Sequence, residues 1–193
     1  MVERSFTRNY ITTLSMPFLC LEIFADELLP DALIGTLSGL IETAWPAFLR
    51  IIDEEQVYVA IPLQLKGKVL EVELAWTTNE TMQSLNLEYR KKDSPTDVLT
   101  FTMLADAPDP ELWLSMPVLQ LGSVFVSIDY ARAAIEVSPH QPLEHYLLER
   151  FVHGMLHLFG MHHDTMEKFE KVVHIQKRVL AATFPEVASA DMP

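Results

Sequence analysis

A chain of 193 residues with 49% hydrophobic and 21% charged content can bury one sizeable core, which excludes disorder and collagen-like repeats. The formal net charge of −13 argues against broad, non-specific affinity for nucleic acid but leaves room for a small basic site. The one cysteine, Cys20, can form neither an intramolecular disulfide nor a thiolate zinc finger. A reducing, cytoplasmic setting fits, and Cys20 reads as a small core residue.

Arg4 and Arg8 precede an apolar run from Tyr10 to Ala25 that superficially resembles a signal peptide. Glu22 interrupts it, Thr12, Thr13 and Ser15 dilute it, and no small-residue cleavage site follows, so Met16 to Phe24 is expected to be a buried strand. No stretch elsewhere has the roughly 18 uninterrupted apolar residues that span a bilayer, and no membrane association is expected. Pro30-Asp31 opens a helical pattern through Leu33, Ile34, Leu37, Leu40, Ile41 and Ala44 toward Arg50, with Pro46 either kinking the helix or marking its end. Val57 to Leu65 and Val69 to Trp76 alternate apolar and polar residues around Lys66-Gly67-Lys68, the pattern of a hairpin.

Thr77-Thr78-Asn79-Glu80 reads as a cap leading into a helix through Met82, Leu85, Leu87 and Tyr89. Val98 to Met103 is a short strand, and Ala105 to Pro117, rich in proline and acid, is a loop. Leu121 to Ile128 is β-prone, and a helix starting at Asp129 or Tyr130 ends near Ser138-Pro139. Pro142 to Phe159 is apolar on nearly all sides, as a helix passing through a core must be. A last helix spans Thr165 to Ala182, with Lys168, Lys171, Lys177 and Arg178 as solvated charges. The tail Thr183 to Pro193 is expected to be mobile. With no repeat and no linker, residues 1–193 form one α+β domain, a mixed β-sheet packed with helices.

The most informative stretch runs from His153 to Asp164. His153 and His157 are four residues apart, so on a helix they share a face and can reach one ion. Gly160 stands where that helix can end in a left-handed cap, letting the chain turn back and offer His163 from the loop. Three protein donors with an open position suit a catalytic zinc site better than a closed structural one. Next to His163, His162 could point away or supply an alternate contact, and Asp164 could support the site from behind. Zinc proteases carry a glutamate general base after the first histidine, but here that position is Gly154, which removes ordinary protease chemistry. His140, His145 and His174 read as surface or packing residues, and Thr96 and Asp97 as cleft-lining residues or part of the turn that opens a strand.

His153-Gly154-Met155-Leu156-His157-Leu158-Phe159-Gly160 followed by His163 is similar to the signature of the YbeY-type endoribonucleases, the ribosomal RNA maturation factors. Two further blocks agree in order. Leu85-Asn86, Tyr89-Arg90 and Lys92-Asp93-Ser94-Pro95-Thr96-Asp97-Val98-Leu99-Thr100-Phe101 resemble the family's arginine-bearing segment. Leu121-Gly122-Ser123-Val124-Phe125-Val126-Ser127 resembles the strand before the histidine helix. The chain departs from the family where His162 replaces an aspartate and where Ser123 replaces an acid.

The resemblance implies a zinc-dependent, single-strand-specific endoribonuclease acting in ribosomal RNA maturation and ribosome quality control in the cytoplasm. One zinc ion would be held by His153, His157 and His163. Arg90, at the position of the family's important arginine, would hold the scissile phosphate through bidentate bonds. Partners would be single-stranded RNA, the small ribosomal subunit and an Era-type GTPase, with no DNA and no membrane. Hydroxide attack on phosphorus and deprotonation of a ribose 2′-hydroxyl both remain open. Competing readings are a ribosome-assembly binding factor with structural zinc, and a metallohydrolase of peptides or small molecules.

Overall fold

The structure is a computed structural model that describes residues 9–16, 19–26, 29–55, 57, 68–103, 115–137 and 141–184. Five strands, β1 (Asn9–Met16), β2 (Leu19–Ala25), β3 (Val69–Thr77), β4 (Val98–Thr102) and β5 (Val118–Ser127), form one mixed sheet in the order β1-β2-β3-β5-β4. The two outer pairs are antiparallel and the two inner pairs parallel. Parallel neighbours need a crossover, and helix α1 (Asp31–Glu54) lies in the connection from β2 to β3. The other helices are α2 (Asn79–Arg90), α3 (Ile128–Val137), α4 (Leu143–Leu158) and α5 (Met166–Thr183). The expected α+β class with a mixed sheet is what the chain adopts.

Side-chain alternation decides which helix covers which face. Leu19, Leu21 and Ile23 on β2, Leu70, Val72 and Leu74 on β3, and Leu119, Leu121, Val124 and Val126 on β5 enter the large core shared with α1, α4 and α5. Ala75, Leu99 and Phe125 point the other way and meet Met82 and Leu85 of α2. Helix α2 therefore lies on the opposite face of β4 and β5 from α4. Beyond α2 that face carries Glu22, Glu71, Glu73, Gln120 and Ser123 around a cavity of about 150 Å³.

A bulge lets β5 serve both faces. Gln120 opposes Glu71, yet Gly122 opposes Val72, so Leu121 is an extra residue and the alternation resets after it. Gly122 has φ +132°, and a Cβ there would sit 2.0 Å from the carbonyl oxygen of Phe101 on β4. Only glycine fits that approach.

The structure refines three sequence expectations. The buried strand expected from Met16 to Phe24 is β2, and a second strand, β1, precedes it, paired antiparallel from Asn9↔Ala25 to Met16↔Leu19. The polar Thr12, Thr13 and Ser15 that dilute the apolar run belong to this edge strand, which has a wetter face. Helix α1 does not end at Pro46 but continues to Glu54, with Pro46 exposed. The interior proline costs about 3 kcal/mol, which burial of Phe48, Ile51 and Ile52 at about 1.5–3 kcal/mol each offsets. Both edges of β3 are taken, by β2 and by β5, while the other arm of the expected hairpin around Lys66-Gly67-Lys68 lies outside the described residues. Residues 58–67, like most of the expected loop and tail, lie outside the described residues.

Helix α1 is long and apolar enough by length and composition to cross a membrane. Its apolar residues nonetheless lie in a stripe, Leu37, Ile41, Ala44, Trp45, Phe48, Ile51 and Ile52, turned into the protein core. Its C-terminus ends on two acids, unfavourable against the helix dipole, and α5 answers them. Arg178 bonds both Glu54 and Glu55, and Lys171 Nζ donates to the Glu55 carbonyl at 3.4 Å. This contact fixes α5 against α1.

Helix α4 lies close on the sheet at Gly154, where a Cβ would lie 2.5 Å from Val124 Cγ1 and 3.3 Å from Thr100 Oγ1. Valine is stiff at its branch point and cannot easily swing aside. We expect Gly154→Ala to destabilise the protein by about 1–3 kcal/mol through overpacking, against a helix-propensity gain of about 1 kcal/mol. Urea unfolding checks this, and a cycle with Val124→Ala should show favourable coupling. A Gly154→Ala protein as stable as the wild type would contradict the close-approach account.

Candidate metal centre

The residues that carry the three histidines are placed by a helix end. Helix α4 begins after Pro142 and buries Leu147, Leu148, Phe151, Val152, Met155, Leu156 and Leu158, which leaves His153 and His157 along one seam. The helix closes in a Schellman turn. Gly160, with φ +83°, donates to the His157 carbonyl at 2.9 Å, and Met161 donates to the Leu156 carbonyl at 3.0 Å. Met161 and Leu156, the positions whose apolar contact usually accompanies this turn, are both buried. The reversed chain then presents His163 before Thr165 caps α5 by accepting from the Lys168 backbone N–H at 3.3 Å.

One donor atom from each of His153, His157 and His163 can be chosen so that all lie within 4.8 Å of one another. The rings stand 4.7 Å (His153–His157), 5.3 Å (His153–His163) and 4.9 Å (His157–His163) apart by centroid. His162 is exposed and its ring lies 6.0 Å from that of His157, outside this group. Asp164 gives its carboxylate to Lys168 Nζ at 2.7 Å, in solvent, so the expected support from Asp164 is not what the structure provides.

The hydrogen bonds test whether the trio fits a cation. Gln176 Nε2 donates to Glu149 Oε1 at 2.7 Å, and a carboxylate only accepts. The Gln176 Oε1 therefore faces His153 Nδ1 at 3.1 Å, so Nδ1 carries the ring proton and Nε2 presents a lone pair. That Nε2 lies 3.0 Å from Nε2 of His157. Two nitrogens this close need a proton or a cation between them. Three histidines could hold one metal ion here, and an all-imidazole donor set suits zinc-like ions while leaving a position open.

A profile of the family described as Endoribonuclease YbeY matches residues 44–183. The chain belongs to this family. Among curated relatives, the Endoribonuclease YbeY of Acaryochloris marina is 35% identical over 121 residues, covering 62% of this chain and 68% of that protein. The Endoribonuclease YbeY of Synechococcus sp. strain CC9605 is 31% identical over 143 residues, covering 72% and 84%. The solution structure of TM1509 from Thermotoga maritima shares the fold with TM-score 0.51 at 22% identity, over 89% of this chain and 93% of that one.

Against the family's arginine-bearing block, the structure places Arg90 at the last residue of α2, exposed. It is not brought into contact with the histidines. Lys91 closes the helix in the left-handed region at φ 59°. Of the described arginines, Arg50, Arg132, Arg150 and Arg178 each have a carboxylate partner, while Arg90 has none. The loop after Arg90 is fastened by Gln83 to Asp93 at 2.7 Å and by Asn86 to the Ser94 carbonyl at 2.7 Å. Asp97 closes the loop, its Oδ1 accepting from the Val98 N–H at 2.9 Å and its Oδ2 taking Arg150 of α4 at 2.9 Å.

Sequence reasoning passed over Arg150, Glu149 and Gln176. Arg150 and Glu149 lie one turn before His153 on the same helix, so helical spacing could have flagged them. Gln176 interrupts the apolar stripe Val172, Ile175 and Val179 of α5, a signal visible without coordinates. Of the remaining histidines, His145 stacks on Phe184 at 3.5 Å and His174 stands 3.6 Å from Glu55, while His140 lies outside the described residues.

Burial sets the charge state of the trio. Desolvation holds His153 below the ordinary imidazole range, opposed by its bond to Gln176 and reinforced by Arg150 and His163. His157 is pushed from 6.5 down to about 4, first by burial and then by the charges of His153 and His163. Both rings are neutral near pH 7, as metal ligands must be. Between pH 6.5 and about 4 the unfolded chain binds a proton at His157 that the folded chain refuses, so folded stability falls as pH falls through this window. In metal-free protein, the unfolding midpoint of the wild type should drop more over this window than that of His157→Asn. Parallel profiles would show that His157 is not held neutral by the fold.

Proposed function

We propose that the chain is a single-domain, metal-dependent endoribonuclease that cuts single-stranded RNA, with His153, His157 and His163 holding one zinc ion. The observation that carries this reading is the convergence of three imidazoles, one with its tautomer defined by Gln176, in a chain of this family. When bound, zinc supplies Lewis acidity, making water acidic enough to lose a proton near neutral pH.

The protein's own groups do the rest. Burial keeps His153 and His157 neutral, so their lone pairs stay available. Gly154 leaves no room for a carboxylate beside the first histidine, and Glu149 and Asp97 are both engaged by Arg150. No carboxylate among these is free to act as a protease-type base, which favours chemistry in which water is activated without one. Arg90, without a carboxylate partner among the described residues of an acidic chain, supports a phosphate-holding role, since a guanidinium binds phosphate oxygens bidentately. Exposed Tyr89, packed edge-on against Phe101 at 4.8 Å, and the neighbouring Lys91 and Lys92 extend this basic spot. The reading extends to ribosomal RNA maturation and quality control in the cytoplasm, at the small ribosomal subunit and with an Era-type GTPase.

Purified protein tests the proposal with single-stranded RNA. His157→Ala should lose zinc and lower cleavage by about 100-fold or more while the protein stays folded. Arg90→Ala should keep its zinc yet lower cleavage by about 10–1,000-fold, as loss of one charge-stabilising donor does. Full zinc occupancy without RNA cleavage would favour a binding factor with structural zinc. Peptide turnover without RNA cleavage would favour another hydrolase class. A single 2′-deoxy substitution at the cleavage position separates attack by water from attack by the ribose hydroxyl.

A further inference from the structure

A chain of polar contacts runs from the start of β4, through α4, to α5, and ends on His153. Asp97 is fixed by accepting the Val98 N–H at its carboxylate and the Ser127 N–H at its carbonyl, each at 2.9 Å. Arg150 spans from Asp97 to Glu149, with Nη2 at 2.7 Å from Glu149 Oε1, and lies over the Tyr146 ring at 5.0 Å. The same Glu149 oxygen accepts from Gln176, whose own oxygen meets His153 Nδ1. Arg150 is kept here although its Nε is buried without a partner. Gln176 is 7% exposed within an otherwise apolar stripe. Packing alone would be served better at both places by apolar side chains, because buried polar and charged groups are costly.

The direction of each bond gives this chain a purpose. Glu149 accepts only, so the Gln176 amide has one orientation, and that orientation demands a proton on His153 Nδ1. If the amide turned over, its NH2 would face Nδ1 and draw the ring proton to Nε2, the atom that points at His157. A ring protonated there cannot bind a cation through that nitrogen. We propose that Gln176 and Glu149 are positioning residues of the metal centre. Gln176 selects the His153 tautomer, and Glu149, held by Arg150, selects the orientation of Gln176. This inference rests on the metal reading of the three histidines.

The test uses full-length protein labelled with 15N at histidine, read in two ways. Two-bond 1H–15N spectra of the metal-free protein report the His153 tautomer, and competition with a chromophoric chelator reports zinc affinity. The wild type should show the Nδ1–H form and bind one zinc ion. Gln176→Leu, similar in bulk, should lose that preference and weaken zinc by about 10–100-fold. Glu149→Gln keeps an oxygen for both Arg150 and Gln176 and should stay close to the wild type, whereas Glu149→Leu should follow Gln176→Leu. If Gln176→Leu does not fold, the contrast between the two Glu149 variants decides. An unchanged tautomer and unchanged zinc affinity in the leucine variants would overturn the proposal. Wild-type protein that binds no zinc would instead overturn the metal reading, and the tautomer in the metal-free protein would still be read independently.

Discussion

How closely helix α4 can lie on the sheet at Gly154 governs the rest of the candidate centre. Val124 and Thr100 occupy the space that a side chain at that position would need. The approach sets the depth at which His153 and His157 flank the contact, one residue before Gly154 and three after it. It leaves both rings half-buried, deep enough to lose their charge and shallow enough to face an open side. A glutamate at Gly154 would need space that the sheet already occupies. The absence of a protease-type base and the burial of the histidines thus have one steric origin.

The opposite wall of the centre comes from α5, whose position depends on contacts remote from any histidine. Its apolar stripe enters the core, and Arg178 and Lys171 engage the acidic end of α1. Exposed ion pairs of this kind contribute little energy individually, but two donors converging on one helix terminus fix register. Register matters because Gln176 must meet both Glu149 and His153. A one-residue slip of α5 would rotate the amide by about 100° around the helix and break both bonds. The tautomer at the centre is therefore linked to packing on the far side of the helical layer.

Much of this was legible beforehand because local rules dominated locally. The histidine spacing, the glycine turn and the threonine caps at Thr78 and Thr165 are short-range chemistry, and each element they delimit lies within a few residues of its expected place. Pairing across the sheet was not legible. Whether β3 takes its sequence neighbour or β2 and β5 depends on long-range burial, which alternation within one strand does not encode. The same limit hid β1, whose polar alternation is informative only once its edge position is known. Gln176 falls between these cases: its place in an apolar stripe was visible, but its partner is 23 residues away.

The separation of Arg90 from the histidines can be argued from charge. Two arginines flank this region, and their surroundings assign them different work. Arg150 is 21% exposed at its side chain and has carboxylates on both terminal nitrogens, so its charge is already answered within the protein. Arg90 is exposed, meets no carboxylate among the described residues, and sits in a chain whose net charge is −13. With acids in such excess, an arginine left without one is not explained by scarcity of partners. The dipole at the end of α2 accounts for a basic residue there, at about 0.3–1 kcal/mol, but is equally served by Lys91 or Lys92. An exposed guanidinium with no carboxylate partner among the described residues is suited to an anion from outside the protein, and Asp97 physically joins the loop that carries it to Arg150 and the histidine helix.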